Sequence, residues 1–221
     1  MNARKQKRMI SSLMNVEERR FKHEKSYRRT ATLDLLVSLL IVVIFTFAVR
    51  TFITEPTRVQ GQSMQPTLMD GERLFVEKLS YLFADPERGD IVICEYPDIY
   101  YDTYHAGEIF TGKTCVKRVI GLPGETVEVK GGRVFIDGKE LDESAYWNGR
   151  IEGDYGPYTV PENSWFVMGD NRNDSTDSRY YMVEAIPKSR IIGRVHSVVL
   201  PLSSMRSVKL DDKAYSGENR R

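Results

Sequence analysis

The stretch TCVKRVIGLPGETVEVKGGRVFIDGKE, residues 114–140, decides the fold. A β-like run at 114–122 ends in Gly121-Leu122-Pro123-Gly124, and two shorter runs follow, ETVEVK at 125–130 and RVFI at 133–136. Gly131-Gly132 separates those two and Asp137-Gly138 follows the second; both dipeptides favour the two-residue turns of β-hairpins. Two consecutive hairpins make an antiparallel meander. Working outward, RLFVEKL at 73–79, DIVICEY at 90–96, NSWFVMGD at 163–170 and SRIIGRVHSVVL at 189–200 have the same short apolar character between turn residues. Helical periodicity is nearly absent beyond residue 57, apart from a short turn at 182–186, so this part is expected to be mainly antiparallel β.

Upstream the pattern changes. LDLLVSLLIVVIFTFAVRTFI, residues 33–53, has ionisable groups only at Asp34 and Arg50, near its ends. A hydrocarbon core of about 30 Å takes roughly 20 apolar residues at about 1.5 Å each, and Arg50 can snorkel to the interface. A single transmembrane helix is therefore expected over 33–53. A cleaved signal peptide fits poorly, because 32 residues precede the run and no small-x-small site directly follows it. The 221 residues carry 32 Lys/Arg and 31 Asp/Glu, a net +1 that hides a division. Residues 1–32 hold ten basic and three acidic groups, or +7, leaving 22 and 28, or −6, for the rest. The basic side of an anchor stays in the cytoplasm. The expected organisation is a basic cytoplasmic segment at 1–32, the anchor at 33–53 and an extracytoplasmic β domain at 54–221.

With 41% hydrophobic residues and balanced charge, the chain is neither a disordered tail protein nor a disulfide miniprotein. Cys94 and Cys115 leave two readings open, a disulfide or two free thiols. His23, His105 and His196 are scattered, without CxxC or HExxH, so no metal and no cofactor is expected. Two Tyr-rich stretches, 98–113 and 142–158, read as solvated connections or as contacts to a membrane interface or partner.

Three segments are too polar and turn-rich for strand ends. VQGQSMQPTL at 59–68 makes a tight bend that holds Ser63 in place. In VKRVIGLPGE at 116–125, Lys117 and Arg118 interrupt a strand, where adjacent side chains point to opposite faces, so one of them is expected to be buried. MGDNRNDSTDSR at 168–179 can build a dense hydrogen-bonded loop. A Ser/His/Asp triad is not supported: Gly61-Gln62-Ser63-Met64-Gln65 lacks the second Gly of the nucleophile elbow, and no His has an acidic motif beside it. A serine hydroxyl still needs a base, and a desolvated lysine amine can serve. Lys117, flanked by Val116, Val119 and Ile120, is the candidate.

SMQPTL at 63–68, GDIV at 89–92, KRVIGLPGE at 117–125 and MGDNRNDSTDSR at 168–179 resemble, in order and after one N-terminal anchor, the sequence boxes of bacterial type I signal peptidases. The likeness runs from about residue 33 to 195. It implies a mainly β extracytoplasmic domain of the signal-peptidase type in a single-pass protein of the bacterial cell membrane. The implied activity is that of a Ser/Lys-dyad serine endopeptidase, removing signal peptides from secreted preproteins after small residues at −1 and −3.

By the same resemblance Ser63 is the acylating nucleophile and Lys117 the general base. Ser175 hydrogen-bonds and orients the lysine, Asp177 and Arg179 form a structural ion pair, and Asp170 and Arg118 extend that network. The Ser63 backbone N–H serves the oxyanion hole. Gly61 stands where some relatives carry a serine hydroxyl, leaving a glycine backbone or water as the second donor. Val59, Met64, Leu68, Cys115 and Val116 are the implied pocket residues, with substrate edges at 54–58 and 114–117. Preprotein signal peptides, the phospholipid membrane and a secretion translocon are the implied partners. A self-cleaving repressor is a rival only if a DNA-binding domain is present, and a 32-residue basic segment before an anchor is not one; no nucleic acid is expected.

Overall fold

The computed structural model describes residues 14, 34–46, 54–97 and 114–208. The chain divides into two compact units, Met1–Arg50 and Thr51–Arg221. In the first, residues 34–46 form helix α1, where Ser38 Oγ donates to the Asp34 carbonyl at 2.8 Å. Its apolar side chains from Leu35 to Phe45 are all more than half exposed. Among the described residues no helix is long and apolar enough to cross a membrane; residues 33 and 47–53 of the expected anchor lie outside them. The first Tyr-rich stretch, 98–113, lies outside them too.

The second unit is mainly antiparallel β. Its strands are β1 (Thr54–Arg58), β2 (Arg73–Glu77), β3 (Ile91–Glu95), β4 (Thr114–Gly121), β5 (Thr126–Lys130), β6 (Arg133–Ile136), β7 (Lys139–Glu140), β8 (Tyr155–Thr159), β9 (Ser164–Met168), β10 (Ile186–Pro187), β11 (Ile191–Leu200) and β12 (Arg206–Ser207). A short helix α2, Ser80–Phe83, follows β2. The larger sheet runs β1-β2-β11-β3-β4-β9-β10, with β12 beside β11; the smaller runs β7-β6-β5-β8. Both expected hairpins form. Gly131 and Gly132 have φ of 58° and 84°, and Asp137 and Gly138 have 49° and 77°, the left-handed pairs that a tight hairpin turn needs.

Strand alternation distributes side chains among three apolar clusters. In β9, Trp165 and Val167 join Val92, Cys94 and Val119 on one face, while Phe166 and Met168 join Ile120, Val127 and Val134 on the other. A third cluster gathers Val59, Met64, Leu68, Leu74, Val76, Ile93 and Val198. Because β4 also has both faces covered, Lys117 and Arg118 are both buried, at 4% and 0% exposure. The expectation that one of the two is buried is met by both, because neither face of the sheet is wet at this point.

Among the described residues, β1 and the start of β4 each leave a strand edge open. Strand β1 pairs there with β2 alone. Strand β4 pairs with β3 along Thr114 to Arg118, and β9 joins its other side only from Arg118 onward, so among the described residues no strand covers that side of 114–117. The second Tyr-rich stretch is largely exposed, as a solvated connection would be, but is pinned at three buried residues, Glu143, Tyr146 and Ile151. Tyr146 and Ile151 are buried in the cluster under the smaller sheet, and its last residues form strand β8.

Candidate active site

Ser63 stands in the loop between β1 and β2. Val59 N–H donates to the Glu72 carbonyl at 2.8 Å and Gly71 N–H to the Val59 carbonyl at 2.9 Å, closing the base of the loop. Within it, Gln65 N–H donates to the Gln62 carbonyl at 3.0 Å and Leu68 N–H to the Met64 carbonyl at 2.9 Å. Met64 and Leu68, at 2% and 0% exposure, anchor the bend in the core. Gly61 turns at φ 86° and donates its N–H to Asp70 Oδ1 at 2.9 Å. From outside, Arg206 pairs with Glu72 at 2.6 Å and donates to the Thr67 carbonyl at 2.7 Å. The serine is held from both ends of its loop.

Lys117 comes from β4, opposite Val92 of β3. Its Nζ donates to Ser63 Oγ at 2.7 Å, joining residues 54 positions apart. The segment after β9 meets the same loop: Asn171 N–H donates to the Ser63 carbonyl at 3.0 Å and Asn171 Nδ2 to the Gln62 carbonyl at 3.2 Å. Gly169 makes that approach feasible, since a Cβ there would stand 2.5 Å from the Ser63 carbonyl oxygen and collide with the Ser175 side chain.

Arg118, on the opposite face of β4 from Lys117, makes a bidentate pair with Asp170 at 2.7 and 2.6 Å, both side chains at 0% exposure. It also donates to the Gly89 carbonyl at 2.9 Å and lies 4.1 Å over the Tyr146 ring. Arg172 reaches the same ring at 5.6 Å and pairs with Glu143 at 2.8 Å. Asp177 accepts from Arg179 at 2.8 Å and from the Gly169 N–H at 3.0 Å. Burial opposes its charge, but Arg179 and the Gly169 amide outweigh it and hold the carboxyl below its usual value. The expected pairs therefore sit in a larger frame that includes Glu143, Tyr146 and Arg172. Asn171 and Arg172 stand in the 168–179 box, which was a cue; Glu143 lies 29 residues from its partner with no local signal.

Ser175 lies beside Gly169, and its Oγ donates to the Thr176 carbonyl at 3.4 Å. Among the described residues this replaces the expected bond to Lys117, because the hydroxyl turns toward its own chain and borders a cavity of about 360 Å³ with Asp177 and Arg179. Gly61 contributes no free amide to an oxyanion hole, since Asp70 takes it. The five expected pocket residues divide. Cys115 and Val116 border a cavity of about 170 Å³ with Thr57, Arg58, Gln60, Ile93 and Thr114, between the two open edges. Val59, Met64 and Leu68 pack in the core behind it and do not border it, because they brace the Ser63 loop.

Cys94 and Cys115 are free thiols, directly opposed across β3 and β4, with their sulfurs 3.3 Å apart. The Cys115 contact and burial push the Cys94 thiol well up. Burial resists ionisation of Cys115 too, but the Cys94 thiol and the Lys117 charge outweigh it and bring that thiol below its usual value. Among the described residues no group of His, Cys, Asp and Glu could hold a metal ion.

A hydroxyl beside a buried amine, at an open strand edge, is an arrangement suited to acyl transfer on an extended peptide. The sequence family described as signal peptidase, peptidase S26, matches residues 32–200. Signal peptidase I P of Bacillus subtilis subsp. natto is 38% identical over 193 residues, covering 82% of this chain and 96% of that protein. Signal peptidase I of Leptolyngbya laminosa is 42% identical over 158 residues, covering 69% and 71%. A crystal structure of a signal peptidase I from Enterococcus faecalis V583, 30% identical, covers 50% of this chain and 97% of its own at a TM-score of 0.37. The chain belongs to the signal peptidase family, peptidase S26, and is a serine endopeptidase of the signal peptidase I type.

Proposed function

We propose that the protein removes N-terminal signal peptides from secreted preproteins, with Ser63 as nucleophile and Lys117 as general base. The observation that carries this reading is the 2.7 Å contact between Lys117 Nζ and Ser63 Oγ. Lys117 Nζ takes the hydroxyl proton as Oγ attacks the scissile carbonyl carbon. The Ser63 N–H donates to the developing oxyanion, with the second donor coming from elsewhere than Gly61. Lys117 then returns the proton to the departing amine of the mature chain and activates the water that releases the signal peptide. Ser175 is a positioning residue for Lys117, reaching it after a side-chain rotation. Asp170, Arg118, Asp177 and Arg179 hold the frame.

The preprotein segment adds as a strand along the edges at 54–58 and 114–117, main-chain bonds giving affinity. The cavity bordered by Cys115 and Val116 accepts a small side chain, and the core behind it restricts depth, which suits small residues at −1 and −3. The apolar run at 33–53 anchors the chain once in the bacterial cell membrane, with residues 1–32 in the cytoplasm against anionic lipid and residues 54–221 outside. Sharing the bilayer with the signal peptide raises effective concentration, and a secretion translocon delivers the substrate.

The test is cleavage of a preprotein with alanine at −1 and −3 by the detergent-solubilised full chain. Ser63→Ala and Lys117→Ala are expected to abolish release of the mature chain. Undiminished cleavage by either variant overturns the dyad.

A further inference from the structure

Cys94 and Cys115 play no part in the proposed hydrolysis, yet they occupy a chemically distinctive position. They are register partners in an antiparallel pair, where opposed Cα atoms stand about 4.5 or 5.5 Å apart; both separations fall in the range of about 4.4–6.8 Å that a disulfide spans. Their sulfurs are already in contact at 3.3 Å. Cys115 borders the cavity between the two open edges, whereas Cys94 is at 0% exposure. Access is therefore ordered: a reagent entering the cavity meets Cys115 first, and only Cys115 meets Cys94.

We infer that Cys115 and Cys94 form a thiol–disulfide exchange site, attacking and resolving in that order, whose closure to a disulfide switches the proposed peptidase off. The inference rests on the Ser63–Lys117 reading for its consequence, though not for its chemistry. The oxidant is a small aliphatic disulfide. The Cys115 thiolate attacks one of its sulfurs, forming a mixed disulfide and expelling one thiolate. Cys94 sulfur then attacks Cys115 sulfur, its proton passing to the thiolate that leaves. Two protein thiols are oxidised to one disulfide, and the reagent is reduced to two thiols that carry the two protons. The lowered Cys115 thiol suits the attacking role.

The link to the dyad is short. Cys115 precedes Lys117 by two residues on the same face of β4. The Tyr96 hydroxyl lies against Cys115 and donates to the Thr176 carbonyl, next to Ser175. Drawing the two sulfurs together moves the cavity wall and the strand that carries the base, and a misplacement of about 1 Å can cost about 100-fold in rate.

The experiment treats the reduced full chain in detergent with 2-hydroxyethyl disulfide, then measures intact mass, free thiols after denaturation, and preprotein cleavage. Expected are the loss of both thiols, a mass lower by two hydrogen atoms with no adduct, and cleavage reduced at least about tenfold until dithiothreitol restores it. The Cys94→Ala variant, with cleavage intact before treatment, is expected to stop at the mixed disulfide of Cys115 with a 2-hydroxyethylthio group. A persistent adduct on the native chain overturns the site, as do two unreacted thiols under conditions that modify the denatured chain. A complete disulfide with undiminished cleavage overturns the switch. Absence of cleavage by the reduced protein counts against the peptidase reading instead, and the mass measurement still decides the exchange site.

Discussion

Gly169 backs directly onto Ser63: a Cβ on the glycine would stand 2.5 Å from the serine carbonyl oxygen. That carbonyl accepts from Asn171 N–H at 3.0 Å, so the loop after β9 and the loop after β1 are fitted backbone to backbone. The position of the Ser63 hydroxyl relative to Lys117 depends on this fit.

Gly169→Ala is therefore expected to lower kcat/KM for preprotein cleavage by about 100-fold through displacement of Ser63. Circular dichroism should remain that of a folded β protein. Activity within a factor of two of the native chain would show that the loop absorbs the methyl group without moving the serine.

Lys117→Arg tests the chemistry of the base apart from its charge. The guanidinium keeps a positive charge and a donor near Ser63, but it cannot accept the proton. Cleavage should fall by about 1,000-fold or more, with the thermal midpoint little changed. Substantial residual activity would show that charge near Ser63 Oγ, rather than proton transfer, is what the lysine supplies.

The Arg118–Asp170 pair is fully enclosed, so removing one partner leaves the other a buried charge without its counter-ion. Asp170→Ala should cost about 3–5 kcal/mol in urea unfolding. A double replacement, Arg118→Met with Asp170→Leu, should recover much of that loss. If the single change cost no more than the double, the pair would not be the source of the destabilisation.

The Asp177 carboxyl lies below its usual value in the folded chain despite burial, because Arg179 and the Gly169 amide favour its charged form. A depressed folded value stabilises the fold above the unfolded value of about 3.9, and that stability is lost as pH falls through the folded value. The stability difference between native and Asp177→Asn chains should be constant from neutrality to about pH 5 and shrink below about 3.9. Urea titrations across that range measure it; a difference independent of pH would remove Asp177 as its origin.

Val116 borders the cavity between the open edges. Val116→Trp fills space that a small substrate side chain would occupy, so KM should rise by about tenfold or more while kcat changes less. Equal loss in both constants would place the effect on Lys117, the next residue, instead of on substrate fit.

Some elements were readable because they rest on local rules. The meander from Thr126 to Glu140 follows from alternation and two turn dipeptides. Strand β8, Tyr155–Thr159, was hidden by Gly156-Pro157, which argues against a strand. It exists because β8 lies at the margin of the smaller sheet, where a missing N–H is tolerated, and because Gly156 approaches the Val127 carbonyl too closely for a side chain. Ser175 shows the opposite limit. Its neighbourhood could be inferred from the 168–179 box, whereas the direction of its hydroxyl could not.

The sequence by itself determined the antiparallel strands, the charge asymmetry about residues 33–53 and, through its boxes, a serine and a lysine of the signal-peptidase kind. Those features depend on residue spacing and on short-range turn chemistry. Only the tertiary structure decided that Lys117 and Arg118 are both buried, that Lys117 reaches Ser63 across 54 residues, and that Cys94 faces Cys115. Each depends on which strands cover β4 and in what register, and a slip of one residue would turn every side chain to the other face. Such long-range pairing is fixed by the packing of the whole unit, which no single stretch of the chain contains.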